Sequence, residues 1–455
     1  MTQKQGEKIV VGLDIGSTKV CAVAGRLIRD KNHARLDVLG VGKAHSEGVA
    51  KGAVVNINKT VDAINQAINE ASRQANLDIK VVNVGFSSQN ISARRQHGSI
   101  TRSSPGEEVN ATDVAHLLGD MYRSVIPAGY EIVHVLPMDF IVDNETVIDD
   151  PVGRIGVKLE ADFQVITAQI NAAANTRKCI ERSSASLQKD LFLLSPLASA
   201  MAVLRDEEKQ AGVVLVDIGG GTTDIAIYYR NVLRHVAVLP YAGNTITSDI
   251  QEGCKVLPQQ AEVLKTKFGS SNPGEFQLNE VVSVPVLAGR MPKDVMLKNV
   301  ALIIEARLKE IAAMVQAEVV RSGYKDKLLG GIVLTGGTSA IRGIEELFER
   351  VTGLHTRVGA PELLEYNVKA DLVSDPALAT AVGLVWAGFK SLDERVDVAP
   401  GIPEETPVRQ PTGRPAPPRE KEKEKEGGSF WGRLLSGVKT FMTDSDIGNS
   451  DKYDR

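Results

Sequence analysis

The sequence has few cysteines, no long apolar run and little net charge, and each scarcity removes a class of protein. The three cysteines, Cys21, Cys179 and Cys254, are scattered among 455 residues, so they form neither a CxxC metal pair nor a disulfide framework. No apolar run approaches the roughly 20 residues that cross a bilayer. The net charge of −4 argues against broad electrostatic binding of nucleic acid, and we expect no nucleic-acid partner.

The first residues, M-T-Q-K-Q-G-E-K, are polar and lead directly into an apolar strand, so no secretory signal is expected. An apolar content of 43% and a charged content of 24% are typical of a folded soluble chain. The length exceeds that of one ordinary core, which favours two or more domains. We therefore expect the body of the protein to lie in the cytosol.

The composition changes once, near residue 391. The stretch that follows is rich in proline and then alternates charges in R-E-K-E-K-E-K-E, with almost no apolar side chains. Such a segment buries too little surface to fold. We expect residues 391–428 to form a disordered, semi-extended linker and residues 444–455 a disordered tail.

Before that point, one pattern occurs twice. Residues 9–23 read I-V-V-G-L-D-I-G-S-T-K-V-C-A-V, and residues 213–227 read V-V-L-V-D-I-G-G-G-T-T-D-I-A-I. Each is a β-branched strand ending in D-I-G, a short turn and a second β-rich strand, which fits a hairpin and not a strand-to-helix phosphate loop. The repeat predicts two similar α/β domains, each contributing one loop to a shared cleft.

The two turns carry the residue types of an anion site. Glycines let consecutive backbone N–H groups converge, while hydroxyl groups and a lysine supply donors and counter-charge. Two aspartates facing each other across a phosphate chain would repel unless a cation lay between them, and hydrated Mg²⁺ suits that position. The predicted phosphate-binding residues are Asp14, Gly16, Ser17, Thr18, Lys19, Asp217, Gly219, Gly220, Gly221, Thr222 and Thr223. Asp14 and Asp217 are expected to hold the metal through water. The alternative is a pair of ordinary hairpins with Asp and Gly in turn roles.

A third glycine-containing turn lies in L-T-G-G-T-S, residues 334–339. Gly336, Gly337 and Thr338 stand between a predicted strand and a helix, where two glycines permit close approach of a flat purine and its ribose. The motif is weak alone and becomes specific after two phosphate hairpins in this order.

Two amphipathic helices are predicted to cover the sheets. One spans residues 57–76. The other spans residues 297–320, and its expected buried side consists of Leu302, Ile303, Leu308, Ile311 and Val315.

The three loops, in this order, resemble those of the actin, sugar-kinase and heat-shock ATPase superfamily. Further stretches are similar to the FtsA family of bacterial cell-division proteins: residues 130–167, residues 233–250, A-E-V-L-K at 261–265 and A-G-R-M-P at 288–292. The resemblance runs from about residue 8 to 390. It implies an α/β, actin-like fold, with two ribonuclease-H-like domains around a nucleotide cleft and an inserted subdomain of the FtsA type.

The resemblance also implies a division into subdomains. Residues 8–85 with 166–205 would form subdomain 1A, 86–165 the inserted subdomain 1C, 206–242 with 301–390 subdomain 2A, and 243–300 subdomain 2B. Subdomain 1C would contact neighbouring copies and later division proteins, and 2B would face the tubulin-like protein FtsZ.

The superfamily pattern implies ATP and Mg²⁺ as cofactors, with Glu262 and Lys265 beside the ribose and base. Because these two residues lie three apart on a predicted helix, a surface ion pair is an equally simple interpretation.

The sequence gives little support for rapid hydrolysis. Relatives that cleave ATP efficiently tend to carry Glu or Gln near the start of the helix between the two halves, where this chain has Leu194, Ser195 and Pro196. Only Asp14 and Asp217 remain as catalytic candidates. We expect ATP chiefly to set a conformation that favours self-association, with weak hydrolysis at most.

The segment S-F-W-G-R-L-L-S-G-V-K-T-F-M-T-D predicts an amphipathic helix over residues 429–443, with Ser429 as N-cap. The apolar side chains fall within an arc of roughly 140°: Phe430, Trp431, Leu434, Leu435, Val438, Phe441 and Met442. Packing into a core or a partner's groove are alternatives, but the interfacial tryptophan and two basic residues favour a helix in the membrane plane. One copy should bind like a weak lipid anchor, about 10⁴ M⁻¹, and an array would hold through avidity.

These features together favour a peripheral, ATP-binding protein that polymerises on the cytoplasmic face of the cell membrane at the division site. Its expected partners are FtsZ, whose ring it would tether, further copies of itself, other division proteins and lipid. Two other functions stay open. A superfamily kinase would need a catalytic Asp facing a substrate pocket, which no loop nominates. An ATP-binding scaffold of an envelope secretion or pilus system would lack the 130–167 stretch and the terminal helix.

Overall fold

The computed structural model describes residues 8–30, 33–102, 106–147, 150–285, 291–361 and 373–397. These residues form eighteen strands and ten α-helices. The strands are β1 (Ile9–Ile15), β2 (Lys19–Asp30), β3 (His33–His45), β4 (Val49–Ala50), β5 (Ala53–Val54), β6 (Val81–Phe86), β7 (Ile91–Thr101), β8 (Tyr130–Val142), β9 (Glu145–Val147), β10 (Lys158–Gln169), β11 (Ser186–Leu194), β12 (Val213–Ile218), β13 (Thr223–Tyr229), β14 (Val232–Leu239), β15 (Val281–Val284), β16 (Lys293–Met296), β17 (Ile332–Thr335) and β18 (Thr356–Val358).

The helices cover the sheets and connect them. They are α1 (Ile57–Ala75), α2 (Ala111–Tyr122), α3 (Ile170–Glu181), α4 (Ser195–Val203), α5 (Asp206–Ala211), α6 (Gly243–Cys254), α7 (Pro258–Phe268), α8 (Leu297–Ser322), α9 (Ile344–Thr352) and α10 (Ala379–Asp397).

Two five-stranded sheets have the same topology. The first has the order β11-β6-β1-β2-β3 and the second the order β14-β13-β12-β17-β18. Each starts with a three-stranded antiparallel meander. A fourth strand pairs in parallel with the first strand of the meander, and a fifth pairs in parallel with the fourth. Every residue of β12 is buried, as expected of a strand covered by helices on both faces. The predicted pair of similar α/β domains is confirmed.

Both predicted hairpins form, and their turns are closed in the same way. The Gly16 amide donates to the Lys19 carbonyl at 3.0 Å, and the Gly219 amide donates to the Thr222 carbonyl at 3.0 Å. The repeated D-I-G sequence therefore produces a repeated backbone conformation.

A third, antiparallel sheet in the order β7-β10-β8-β9 carries α2 on one face. Val114, Leu117 and Leu118 of α2 pack against Phe140 and Phe163 of the sheet. The strand β10 continues to Gln169, past the expected boundary at 165, because it stays paired with β7 as far as Ala168↔Ile91. This sheet is the inserted unit that the sequence predicted.

The first amphipathic helix is capped at both ends. The Asn56 side chain accepts from the Lys59 amide, and Asn76 ends the helix in the left-handed conformation, with φ 53°. Its buried side includes Ile64, Ala67 and Ile68.

One residue of the second helix was assigned to the wrong side. In α8, Leu308, Ile311 and Val315 are buried as predicted, and Ile303 packs against the same core. Leu302, however, is 48% exposed. It lies nine residues before Ile311, which is about 180° round the helix at roughly 100° per residue, so it faces solvent.

The helix α10 crosses α4 at very short range. A Cβ placed on Gly383 would lie 1.8 Å from the Ala198 carbonyl oxygen, so only glycine lets the two backbones approach this closely. Both helices bury small side chains at the crossing, among them Ala198 and Ala381. The small side chains of both helices therefore permit this close packing.

The linker was predicted to start at residue 391, which is too early. The helix α10 runs on to Asp397, because Ser391 is still buried and Leu392 packs against the core. The rest of the linker, the terminal helix 429–443 and the tail lie outside the described residues. Within the described ranges, no helix is long and apolar enough to span a membrane.

We predict that Gly383→Ala lowers the free energy of unfolding by about 1–3 kcal/mol, because the added methyl group overpacks the α4–α10 crossing. The control is Gly119→Ala in α2, where an added Cβ meets nothing within 4 Å and helix propensity favours alanine by about 1 kcal/mol. Urea unfolding of both variants checks this. Equal unfolding midpoints for Gly383→Ala and the wild-type chain would contradict the packing argument.

Candidate functional site

A cleft of about 410 Å³ lies between the two five-stranded sheets. Both hairpin turns line it, together with the turn after β17 and the segment before α10. Fifteen of the sixteen predicted nucleotide-binding residues form its walls: Asp14, Gly16, Ser17, Thr18, Lys19, Asp217, Gly219, Gly220, Gly221, Thr222, Glu262, Lys265, Gly336, Gly337 and Thr338.

Thr223 is the one predicted residue that does not line the cleft. It is the first residue of β13 and is fully buried, and its hydroxyl group donates to the Tyr241 carbonyl at 2.7 Å. The Thr223 side chain points away from the cleft because successive residues of a strand point to opposite faces.

The tips of the two hairpins touch. A Cβ on Gly220 would lie 1.8 Å from the Thr18 hydroxyl oxygen, and one on Gly221 would lie 2.2 Å from the Ser17 hydroxyl oxygen. The Ser17 hydroxyl oxygen also accepts from the Gly52 amide at 3.0 Å. Gly220 and Gly221 are therefore needed for contact between the two loops. The sequence had suggested a different reason for glycine here, the convergence of backbone N–H groups.

Three carboxyl groups gather at the base of the cleft. Asp14 is the penultimate residue of β1 and Asp217 the penultimate residue of β12, and Asp224 lies directly opposite Asp217 in β13. Burial, opposed by the nearby charge of Lys19 and aided by the charge of Asp217, raises the pKa of Asp14 to about 6. Burial also raises the pKa of Asp217, which hydrogen bonds from Ser199 and Thr380 oppose.

Asp224 is the carboxyl group that sequence reasoning missed. It is buried, accepts from the Ser87 hydroxyl group at 2.9 Å and lines the cleft beside Ser87. Burial first, and then the charge of Asp217, raise its pKa to about 8. The signal was present in the sequence, since Asp224 closes the motif V-D-I-G-G-G-T-T-D and stands two residues from the turn.

The donor set determines what kind of cation fits. Within the described residues, no group of three or more His, Cys, Asp or Glu side chains is arranged to hold a metal ion directly. A small, strongly hydrated cation that reaches the carboxylates through its own water molecules fits this base, whereas a fully protein-coordinated ion does not.

Lys19 lies in the cleft. Its ammonium group donates to the Ala377 carbonyl oxygen, in the 3₁₀ turn Pro376–Leu378 that precedes α10. The predicted counter-charge thus lies in the cleft, bonded to the segment before α10.

The opposite end of the cleft is formed by α7 and the turn after β17. Lys265 and Glu262 form the ion pair that their spacing suggested, at 2.7 Å, but Lys265 is only 8% exposed. Its ammonium group also donates to the Gly243 carbonyl at 3.0 Å and to Thr247 at 2.8 Å, and burial lowers its pKa. The pair is therefore part of the cleft wall and not a surface feature.

The turn after β17 is bonded to the second hairpin. The Thr338 hydroxyl group donates to the Gly219 carbonyl at 2.8 Å, and Gly336 has φ +85°. Arg342, which sequence reasoning did not select, also lines this end, with its guanidinium group 5.6 Å from the centre of the Phe276 ring.

The start of α4 faces the same cleft. Ser195 lines it, and Leu194 and Pro196 stand on either side, so the helix begins without an acidic side chain. The Leu194 amide donates to His134 Nε2 at 3.0 Å, which joins this helix start to β8 of the inserted sheet. Burial lowers the pKa of His134 to about 4, so the ring is neutral and accepts.

Comparison with known proteins matches two separate parts of the chain to family models that both name FtsA. The family described as cell division protein FtsA matches residues 214–383, and the SHS2 domain inserted in FtsA matches residues 88–167. Among solved structures, the PilM–PilN type IV pilus biogenesis complex is similar, with a TM-score of 0.60 and 15% sequence identity over 83% of this chain and 98% of that one. At that identity the likeness extends to the fold alone.

Curated relatives match nearly the whole chain. It is 38% identical over 401 residues to cell division protein FtsA of Pseudomonas aeruginosa, covering 88% of this chain and 94% of the relative. It is 34% identical to FtsA of Escherichia coli K12, covering 86% and 93%, and 33% identical to FtsA of Bacillus subtilis, covering 83% of each. With its actin-like pair of domains and its inserted SHS2 domain, the chain belongs to the FtsA family of cell division proteins.

Proposed function

We propose that the protein binds Mg·ATP in this cleft, polymerises on the cytoplasmic face of the cell membrane at the division site and tethers the FtsZ ring there. Later division proteins would be recruited to the same polymer. The observation that carries the proposal is the convergence of two hairpin loops, one strand–turn and three carboxyl groups on one cleft of about 410 Å³. That volume falls within the range of about 300–1,000 Å³ typical of small-molecule sites.

The residues fit ATP in chemistry and in order along the cleft. Hydroxyl and amide donors of the two hairpins, such as Ser17, Thr18 and Thr222, suit phosphate oxygens. At the far end, the flat surface of Gly336 and Gly337 suits a purine ring, with Glu262 near the ribose hydroxyls. Asp14 and Asp217 would hold Mg²⁺ through water, and the cation would favour their charged forms, which burial disfavours.

The same geometry favours binding over turnover. An attacking water needs an orienting or basic group, and the start of α4 supplies only Ser195. Asp224 lies in the cleft, but burial raises its pKa and so disfavours the charged form that a general base needs. We therefore propose slow hydrolysis, and a steady-state turnover of several per second would contradict it.

Attachment to the membrane rests on the sequence alone. The predicted helix 429–443 presents seven apolar side chains, worth up to about 1.5–3 kcal/mol each if fully buried. The cost of forming a short helix removes much of that gain, so one copy binds reversibly. A polymer that links many copies would convert a weak anchor into stable attachment.

Nucleotide binding is tested at Gly337, where the apo fold has room. An added Cβ would meet only the Ala377 Cβ, at 3.6 Å, so Gly337→Leu should fold normally and place its side chain where the purine is proposed to lie. We expect the affinity for Mg·ATP to fall at least about 10-fold, or about 1.4 kcal/mol, in calorimetric titration. Gly119→Leu is the control, since its surroundings are equally open. Unchanged affinity in Gly337→Leu would exclude the proposed purine position.

Asp224 predicts a pH dependence of stability. Its folded pKa of about 8 lies above the ordinary value of 3.8, so its contribution is fully present below about pH 4 and is lost as pH rises towards 8. For one proton the slope is at most about 1.4 kcal/mol per pH unit. Asp224→Asn lacks this loss, so its apo form should gain stability relative to the wild-type chain from pH 5.5 to 7.5. Urea unfolding at several pH values checks this, and parallel curves would refute it.

Membrane attachment is tested by co-sedimentation with liposomes in the presence of Mg·ATP. The full chain should pellet, and a chain ending at Gly428 should stay in the supernatant. A matched pair sharpens the test: Leu435→Gln removes one apolar contact and should reduce pelleting several-fold, whereas Thr440→Gln on the polar face should not. Purified FtsZ should pellet only together with the full chain. If the truncated chain pellets equally well, the anchor assignment is wrong.

A further inference from the structure

The Asp217 carboxylate is held by two hydroxyl groups from outside its own sheet. The Ser199 hydroxyl group donates to Oδ2 of Asp217 at 2.7 Å, and the Thr380 hydroxyl group lies 3.3 Å from the same oxygen. The two hydroxyl oxygens are 2.9 Å apart. Ser199 and Thr380 are themselves buried, so no bulk water competes for these contacts.

The two hydroxyl groups come from the two helices that cross most closely. Ser199 follows Ala198 in α4, and Thr380 stands three residues before Gly383 in α10. The contact between Gly383 and the Ala198 carbonyl fixes the helices at this point. The hydroxyl groups are therefore carried on a rigid crossing, which is what is needed to hold a carboxylate in one orientation.

Both contacts fall on one oxygen of the carboxylate. On the other side, Gly336 lies against Oδ1, since a Cβ there would be 2.3 Å from that atom. Asp217 is thus clamped between the helix crossing and the turn after β17. A carboxylate fixed on both sides has little freedom to rotate or to turn away from the cleft.

We infer that Ser199 and Thr380 are positioning residues that orient the Asp217 side chain towards the water shell of the cation that accompanies ATP. This inference rests on the proposed function of the cleft. Neither residue belongs to the loops that resemble a nucleotide-binding superfamily, and both act through Asp217. Removal of either hydroxyl group should weaken the cation's contribution to binding while the contacts to the nucleotide itself remain.

The chain offers a matched series of variants. Thr380→Val keeps the shape of the side chain and removes the hydroxyl group, Thr380→Ser keeps the hydroxyl group, and Ser199→Ala removes the shorter contact. Thr176→Val is the control, because the Thr176 hydroxyl group is equally buried but bonds only to the Ala172 carbonyl in its own helix, at 3.1 Å. Thermal unfolding of the apo forms shows which variants are folded.

The dissociation constant for ATP is measured twice, once with excess Mg²⁺ and once with EDTA. The ratio of the two constants gives the gain in ATP affinity that is due to the cation, called the Mg²⁺ gain below. Removing a group that orients a metal ligand typically costs about 10- to 100-fold in metal affinity, and the loss should be near the low end for a cation that is held through water. We expect Thr380→Val and Ser199→Ala to lose about 10-fold of the Mg²⁺ gain while ATP affinity in EDTA is unchanged. Thr380→Ser and Thr176→Val should retain it.

The outcomes separate this inference from the proposed function. If the wild-type chain does not bind ATP, the proposed function fails and the inference falls with it. If the wild-type chain shows a Mg²⁺ gain and both hydroxyl-deleted variants keep it in full, the inference alone is wrong. Loss of ATP affinity in EDTA to the same extent as in Mg²⁺ would also overturn it, because that result indicates a general structural role.

Discussion

The site depends on one constraint: three carboxyl groups are buried close together at the base of the cleft. Asp14, Asp217 and Asp224 come from the ends of two hairpins, and burial raises the pKa of each. The apo fold tolerates this cluster through Ser199, Thr380, Ser87 and the charge of Lys19. A cation with its water shell would favour the charged forms of these carboxyl groups.

The topology puts the carboxyl groups together because the same sheet occurs twice. In each sheet, the first strand runs into the cleft and turns back through a four-residue loop, so both D-I-G sequences end at the same place. The antiparallel register then sets Asp224 directly opposite Asp217. The two tips meet at Ser17 with Gly221 and at Thr18 with Gly220. The site therefore follows from the duplication, and neither half forms it alone.

The sequence predicted the parts of this arrangement that depend on local pattern. The repeat predicted the two hairpins. Fifteen of the sixteen predicted nucleotide-binding residues line the cleft, because the residue types in a loop indicate the conformation of its backbone. Long-range contacts could not be predicted in this way. Ser199 and Thr380 lie 181 residues apart in sequence, and each stands in a run of small residues that carries no motif. Asp224 was passed over because strand register, and not composition, brings it to the cleft. Leu302 shows a smaller error of the same kind, since an apolar residue within a helical stretch belongs to the core only on the right face.

The inserted sheet contacts both halves, which makes it sensitive to their relative position. On one side, His134 of β8 accepts from the amide of Leu194, one residue before Ser195 in the cleft wall. On the other, Asp139 of the same strand pairs at 2.5 Å with Arg234 of β14, whose side chain is only 3% exposed. Breaking a buried pair of this kind typically costs about 3–5 kcal/mol. Any motion that separates the two large sheets must therefore break the pair or carry the inserted sheet with the second domain, away from α4.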